Sequence, residues 1–227
     1  MALSKPIGGG LLETRGWLSE RPSDFRGALL AGAQPRRFDK GDTLYHYGDP
    51  ALGLFGVLSG AVAVSIPADN GEEFTAHHDG AGFWIGDLAM LSDQTRLVTV
   101  TALRDTETLY IPAGHIIRMV RETPRYYADF YALTHSNMEL ALRLMANLAV
   151  ANADHRLELR LLMLDERLDT PGGWLDVNQE DLAAMVAVSL PTLQRKLRVL
   201  TEAGMVEQGY GRIRVLDRSR LLSACQA

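Results

Sequence analysis

The sequence holds a single cysteine, Cys225, close to its C-terminal end. An intrachain disulfide is therefore excluded, and so is an iron–sulfur cluster ligated by thiolates of one chain. No apolar run is long enough to span a membrane, and the opening MALSKPIGGGLLETRGW has no hydrophobic stretch of the signal-peptide kind. A cytoplasmic protein with no membrane partner is the expectation. A Gly-rich phosphate loop, a nucleophile elbow and a His pair at i, i+4 spacing are all missing, and no pair of carboxylates stands out from a solvated surface. An enzyme is not expected. Charged residues make up 22% and apolar residues 47%, which places the chain among globular proteins. Its 227 residues suffice for one large domain or two modest ones.

The net charge of −5 argues against an evenly basic nucleic-acid binder, but the charge is not even. From His155 to Ser189 there are three basic and seven acidic residues, a balance of −4. From Leu190 to Arg220 there are seven basic and three acidic, a balance of +4. A phosphate backbone responds to the local potential.

The stretch at that charge reversal is NQEDLAAMVAVSLPTLQRKLRVLTEAG, from Asn178 to Gly204. Asn178 followed three residues later by Asp181 has the form of a capped helix start. Leu182, Met185 and Val186 share one helical face. Ala187-Val188-Ser189 reads as a turn, with Ser189 capping a second helix and Pro191 in its first turn, where a missing N–H is tolerated. Leu193, Leu197 and Leu200 point inward by their spacing, which leaves Gln194, Arg195 and Arg198 on other faces. Gly204 ends the helix. Arg195, Lys196 and Arg198 fall in the second helix with no acid among them. Met205-Val206 begins a strand, Gly209-Tyr210-Gly211 turns, and Arg212 to Val215 alternates basic and apolar residues. A helix-turn-helix followed by a basic hairpin is a winged helix-turn-helix, whose second helix enters the DNA major groove. An ordinary helical hairpin is the alternative, and the basic wing argues against it.

Upstream, the character is β. Gly48-Asp49-Pro50, Ser59-Gly60, Asn70-Gly71, Gly80 and Gly82 punctuate short apolar runs, with further strands over 98–101 and 108–111. Short strands at regular spacing predict an antiparallel barrel or sandwich. A long stretch without Pro or Gly follows Pro124. Along it Tyr131, Thr134, Met138, Ala141, Met145, Leu148 and Asn152 are spaced three and four apart, as a coiled-coil seam requires. Leu133, Leu140 and Leu144 form a second stripe that can pack on the β-region.

The runs FDKGDTLYHYGD, VLSGAVAV and GFWIGDLAMLSDQTR, followed by the winged helix-turn-helix, resemble the CRP/FNR family of bacterial transcription regulators from about Phe25 to Leu222. The resemblance implies an α+β architecture. A leader over 1–24 precedes an antiparallel cyclic-nucleotide-binding-like β-roll over 25–123. A dimerisation helix over 124–152 and a DNA-binding domain over 153–227 complete it. It implies a homodimer on double-stranded DNA at a palindromic operator, with RNA polymerase as a further partner. An alternative keeps the ligand-binding module but uses the helix-turn-helix for protein contacts only.

The family's phosphate cradle maps onto Gly86, Asp87, Leu88, Arg96 and Leu97. Gly86 and Arg96 are retained. Asp87 is one methylene shorter than the family's Glu, and Leu97 stands where a hydroxyl residue donates to the phosphate. The family's purine-contacting hydroxyl pair on the long helix falls, by ungapped counting, at Ala141 and Leu142, which offer no hydrogen bond. The expectation is a regulator whose effector is not tightly bound cAMP. cAMP or another nucleotide stays open as the effector. The family's gas sensors suggest His77 or His78 as a haem ligand, but adjacent strand residues face opposite ways, and haem is not expected. The family's N-terminal iron–sulfur cysteines are absent.

In the recognition helix, family members often place a guanine-reading Arg and then Glu directly after the capping Ser. Here those positions are Leu190 and Pro191. Arg195 matches the family's downstream base-reading Arg. Gln194 is placed to meet adenine or thymine edges, and Leu190 a thymine methyl. Gln179, Ser189, Thr192 and Arg198 are placed for phosphate contacts, with Arg212 on the wing.

Overall fold

A computed structural model describes residues 11–225 apart from 69, 70, 72, 93 and 168–170. Residues 1–10 of the expected leader lie outside the described residues, as does Asn70 of the Asn-Gly turn. In chain order, a 3₁₀ turn over Trp17–Glu20 precedes α1 (Ser23–Leu30), β1 (Gln34–Phe38), β2 (Thr43–Tyr45), β3 (Gly53–Ser59), β4 (Ala61–Pro67) and β5 (Glu73–Gly80). Then come β6 (Trp84–Ile85), α2 (Asp87–Met90), β7 (Thr99–Ala102), β8 (Thr106–Pro112), α3 (Ala113–Glu122) and α4 (Tyr126–Ala149). The remainder is α5 (Ala153–Arg167), a 3₁₀ turn over Pro171–Gly173, β9 (Trp174–Leu175), α6 (Gln179–Met185), α7 (Leu190–Glu202), β10 (Val206–Gly209), β11 (Arg212–Val215) and α8 (Arg218–Ala224). The antiparallel β-roll, long helix and winged helix-turn-helix expected from the sequence are all present.

The chain divides into two compact units, Met1–Val62 with Gly80–Glu139 and Ala63–Asp79 with Leu140–Ala227. The first holds a sheet of order β1-β8-β3-β6, with Leu54 opposite Ile111 and Gly56 opposite Leu109. Because strand side chains alternate, Leu54, Leu109 and Ile111 join one core. Trp17, Phe25, Trp84, Ile116, Tyr126 and Phe130 belong to the same cluster. Trp17 stacks edge-on against Phe25 and Trp84, with centroids 5.6 and 5.4 Å apart, and donates Nε1–H to the Asp129 carbonyl at 2.8 Å. Within the leader expected over 1–24, the structure buries Leu12, Trp17 and Leu18. Their burial covers apolar surface on the sheet and α4 that would otherwise meet water.

In the second unit, β9, β10 and β11 form the sheet β10-β11-β9, with Val206 opposite Val215 and Ile213 opposite Leu175. Leu161, Leu182, Leu193, Leu197 and Ile213 are buried. The residues 63–79, mostly β4 and β5, belong to this unit rather than to the first. Polar links account for it. Arg167 Nη1 reaches Asp79 Oδ2 at 3.0 Å, and an Arg160 N–H donates to the Ala76 carbonyl. His78 places Nδ1 3.2 Å from the Asp176 carbonyl and Nε2 3.5 Å from Asp181 Oδ2.

Candidate nucleic-acid interface and ligand cradle

The helix pair α6–α7 is defined by its caps. Asn178 Oδ1 accepts from the Asp181 N–H at 2.7 Å, and Asn178 Nδ2 donates to Asp181 Oδ2 at 2.9 Å. Ser189 Oγ accepts from the Thr192 N–H at 3.4 Å and lies 2.9 Å from Thr192 Oγ1. Thr192 is thereby engaged in the cap. Ala187 carries the turn at a φ of +50°, a left-handed conformation that costs a non-glycine residue about 1–2 kcal/mol. Gly204, at a φ of +70°, ends α7 at the C′ position.

With Leu193, Leu197 and Leu200 buried, α7 turns Gln194, Arg195 and Arg198 to solvent. Leu190 is half-buried at its first residue. Arg195 and Arg198 engage no carboxylate among the described residues. Lys196 differs: its ammonium pairs with Asp154 of α5, so it anchors the helix instead of facing outward. The wing is similarly divided. Arg212 is exposed and stacks on Trp174, with its guanidinium carbon 4.3 Å from the ring centroid. Arg214 lies 4.9 Å from the same ring but pairs with Glu207. Trp174 of β9 went unread in the sequence because a two-residue strand has no periodicity.

A chain of side-chain amides crosses this surface. Gln194 Nε2 donates to Gln179 Oε1 at 3.1 Å, Gln179 Nε2 to Gln208 Oε1 at 3.1 Å, and Gln208 Nε2 to Thr201 Oγ1 at 2.9 Å. Gln179 therefore sits between the recognition helix and the wing. Residues 15 and 29 positions apart in sequence carry no local signal of such pairing.

In the other unit, Gly86 and Arg96 come together. Gly86 has a φ of +106°, and a Cβ there would lie 2.4 Å from Arg96 Nη1, so only glycine fits. Arg96 is 3% exposed. Its Nη1 donates to the Gly86 carbonyl at 2.8 Å and its Nη2 to the Gly53 carbonyl, while the guanidinium stacks 4.2 Å from the Tyr45 ring centroid. Burial lowers its pKa, opposed by Tyr45 and other neighbours. Arg96 Nε finds no acceptor among the described residues. Asp87 is buried, and its Oδ1 accepts from Asn137 Nδ2 of α4 at 2.8 Å. Burial raises its pKa, and hydrogen bonds from Thr134 and Asn137 partly offset the rise. Asn137 was not legible in sequence, and Thr134, expected on the seam, is half-buried and turned toward Asp87. Leu88 and Leu97 are 44% and 55% exposed. Ala141 and Leu142 are exposed on α4. Beside Arg96 a cavity of about 640 Å³ is lined by Arg36, Arg37, Phe38, Tyr45, Phe55 and Tyr110 among others.

Two of the five N–H donors of Arg96 go to carbonyls, and Leu97 has no hydroxyl to give to a phosphate. His77 and His78 are both buried, and no group of three metal-ligating side chains exists among the described residues. No helix among them is long and apolar enough to cross a membrane.

Residues 35–123 match the family model of a cyclic nucleotide-binding domain, and residues 155–224 that of a Crp-like helix-turn-helix domain. The chain is 27% identical over 193 residues to a cyclic AMP receptor protein of Thermus thermophilus, covering 85% of this chain and 88% of the relative. It is 23% identical over 199 residues to a CRP-like cAMP-activated global transcriptional regulator of Mycobacterium tuberculosis, covering 86% and 89%. Among solved structures, FixK2 of Bradyrhizobium japonicum superposes with a TM-score of 0.74 at 22% identity, covering 84% of this chain and 96% of that one. The c-di-GMP-responsive regulator CLP of Xanthomonas campestris superposes at 0.68 and 21% identity, covering 86% and 100%. Both structures share the fold.

Proposed function

The chain belongs to the CRP/FNR family of DNA-binding transcription regulators, and on that premise we propose that it acts as a homodimer at a palindromic operator. In this reading Arg195 and Gln194 read bases, Arg198 and Gln179 lie at phosphates, and Arg212 contacts the backbone from the wing. The observation that carries it is the capped α7 helix. It shows Gln194, Arg195 and Arg198 to solvent while Lys196, the other cation of the helix, is held by Asp154.

In the same reading the effector is not tightly bound cAMP. Support comes from Leu97, from the carbonyl-bound Nη groups of Arg96, and from Asp87 held by Asn137. A second reading is favoured by the orphaned Arg96 Nε and by the cavity beside it. Three arginines and four aromatic rings line that cavity, which suits a larger anion with an aromatic part.

One experiment tests both proposals. An operator is selected from random-sequence DNA, and binding is measured against salt, with and without cAMP. Arg195→Ala is expected to lose about 1–3 kcal/mol at one base pair and to relax specificity there. Arg198→Ala is expected to weaken all sequences alike and to lower the salt slope by about 1. Millimolar cAMP is expected to change neither. Unchanged base preferences in Arg195→Ala would remove it from base reading, and micromolar cAMP activation would overturn the effector proposal.

A further inference from the structure

The amide chain on the DNA-facing surface has a direction, and a hydroxyl sets it. Thr201 Oγ1 lies 2.8 Å from the Leu197 carbonyl, one turn back along α7. A carbonyl only accepts, so the single hydroxyl proton of Thr201 is committed to Leu197. Toward Gln208, Thr201 can then only accept, and Gln208 must offer its NH₂ group at 2.9 Å. That leaves Gln208 Oε1 facing Gln179, which must answer with its own NH₂, and Gln179 Oε1 facing Gln194, which must do the same. Amide orientation is ordinarily ambiguous for an isolated glutamine. Here each link follows from the one before it, and all trace to one backbone carbonyl.

We infer that Thr201 and Gln208 are positioning residues which, through Gln179, hold the Gln194 amide with its carbonyl oxygen outward and so make adenine the base it reads. The inference rests on the proposed reading of α7 as the base-reading helix. With one N–H of Gln194 committed inward, its Oε1 and its remaining N–H face outward. That pair matches adenine, whose N6–H donates and whose N7 accepts. The reversed chain would turn two N–H donors outward, which matches the two acceptors of guanine, O6 and N7. The polarity of the relay therefore discriminates between purines at that position. Neither Thr201 nor Gln208 needs to touch DNA for this. Fixing the donor group before encounter also lessens the side-chain freedom lost on binding.

The test is selection from random-sequence DNA with the full chain, followed by sequencing of the bound pool. The wild type is expected to enrich adenine at one position of each half-site, and Gln194→Ala to erase that preference. Thr201→Val removes the acceptor but keeps the shape, and Gln208→Leu breaks the middle of the chain. Both are expected to keep salt-dependent binding while the adenine-to-guanine ratio at that position falls about tenfold. Thr201→Ser restores the hydroxyl and is expected to restore the ratio, which a purely structural role for the threonine methyl would not do. An unchanged ratio in both Thr201→Val and Gln208→Leu, with Gln194→Ala still erasing it, would overturn the relay and leave the base reading intact. If Gln194→Ala erased nothing, the base-reading assignment of Gln194 would fall, and the relay with it.

Discussion

His77 shows what a single buried side chain does to this protein. It is 2% exposed, and neither ring nitrogen forms a hydrogen bond among the described residues, although Nε2 lies 3.4 Å from Asp79 Oδ2. Burial depresses its pKa, and the Arg160 and Arg167 guanidinium groups push the same way, while Asp79 opposes them. Arg160 is itself pushed down to about 10 by burial. A histidine with a depressed pKa binds its proton more readily when unfolded. Its contribution to stability is then complete above the unfolded value of about 6.5 and is lost as the pH falls through the lower folded value. The thermal midpoint is therefore expected to drop between pH 7 and pH 5.5. In His77→Phe, which keeps an aromatic ring without the titration, most of that slope is expected to vanish. Equal slopes in the two proteins would place the pH dependence elsewhere. Cys225 is inert for a related reason: burial and the neighbouring Glu158 raise its thiol to about 11, so little thiolate exists near neutrality.

At the scale of elements, the two caps differ in quality, and the difference is measurable. Asn178 makes a short bond to the Asp181 N–H, 2.7 Å, and returns a second bond to its carboxylate, 2.9 Å. Ser189 reaches the Thr192 N–H at only 3.4 Å. Asn178→Ala is expected to cost about 1–2 kcal/mol in urea unfolding, and Ser189→Ala about half as much. Equal losses would mean that the hydroxyl contact between Ser189 and Thr192 compensates for the long cap bond. Both caps, the Gly204 stop, the buried leucines of α7 and the β10–β11 hairpin were legible in sequence, because each is encoded within a few neighbouring residues. The grouping of β5 with α5 and α6 was not, because it depends on Arg160, Arg167 and Asp181 meeting residues some 80 to 100 positions away. Trp17 and Leu18 were missed for the same reason. A short apolar segment beside a glycine-rich start reads as a leader until its partners, Phe25, Trp84 and Phe130, are known. In the cradle, Gly86 and Arg96 were legible from their motif, but the Asn137 bond that occupies Asp87 was not.

At the scale of the whole molecule, α4 carries an apolar face that the proposed second copy of the chain would cover. Its inward stripe behaves as expected, with Leu133 and Leu140 buried and Leu144 half-buried. Its other stripe keeps Tyr127, Tyr131, Met138, Leu142, Met145 and Leu148 at 52%, 69%, 48%, 57%, 66% and 39% exposure. Six large apolar side chains along one helix exceed the scattered exposure usual on a monomer. Their spacings of three, four and seven suit a coiled-coil seam. The proposed homodimer would cover them, at a gain of about 25 cal/mol for each Å² removed from water. Met138→Glu with Met145→Glu places four carboxylates in such a seam while disturbing no buried contact of the single chain. Sedimentation is expected to show the wild type as a dimer and the double variant as a monomer, with the thermal midpoint of the folded chain nearly unchanged. The consequence for DNA follows from geometry. Two linked recognition helices bind half-sites about one turn apart, and the second contact is then intramolecular. Separating the copies is expected to reduce affinity for a full palindrome about a hundredfold and to leave affinity for an isolated half-site almost unaltered. A double variant that sediments as a monomer yet binds the palindrome as tightly as the wild type would show that one chain carries the whole recognition, and the two-fold reading of the operator would have to be abandoned.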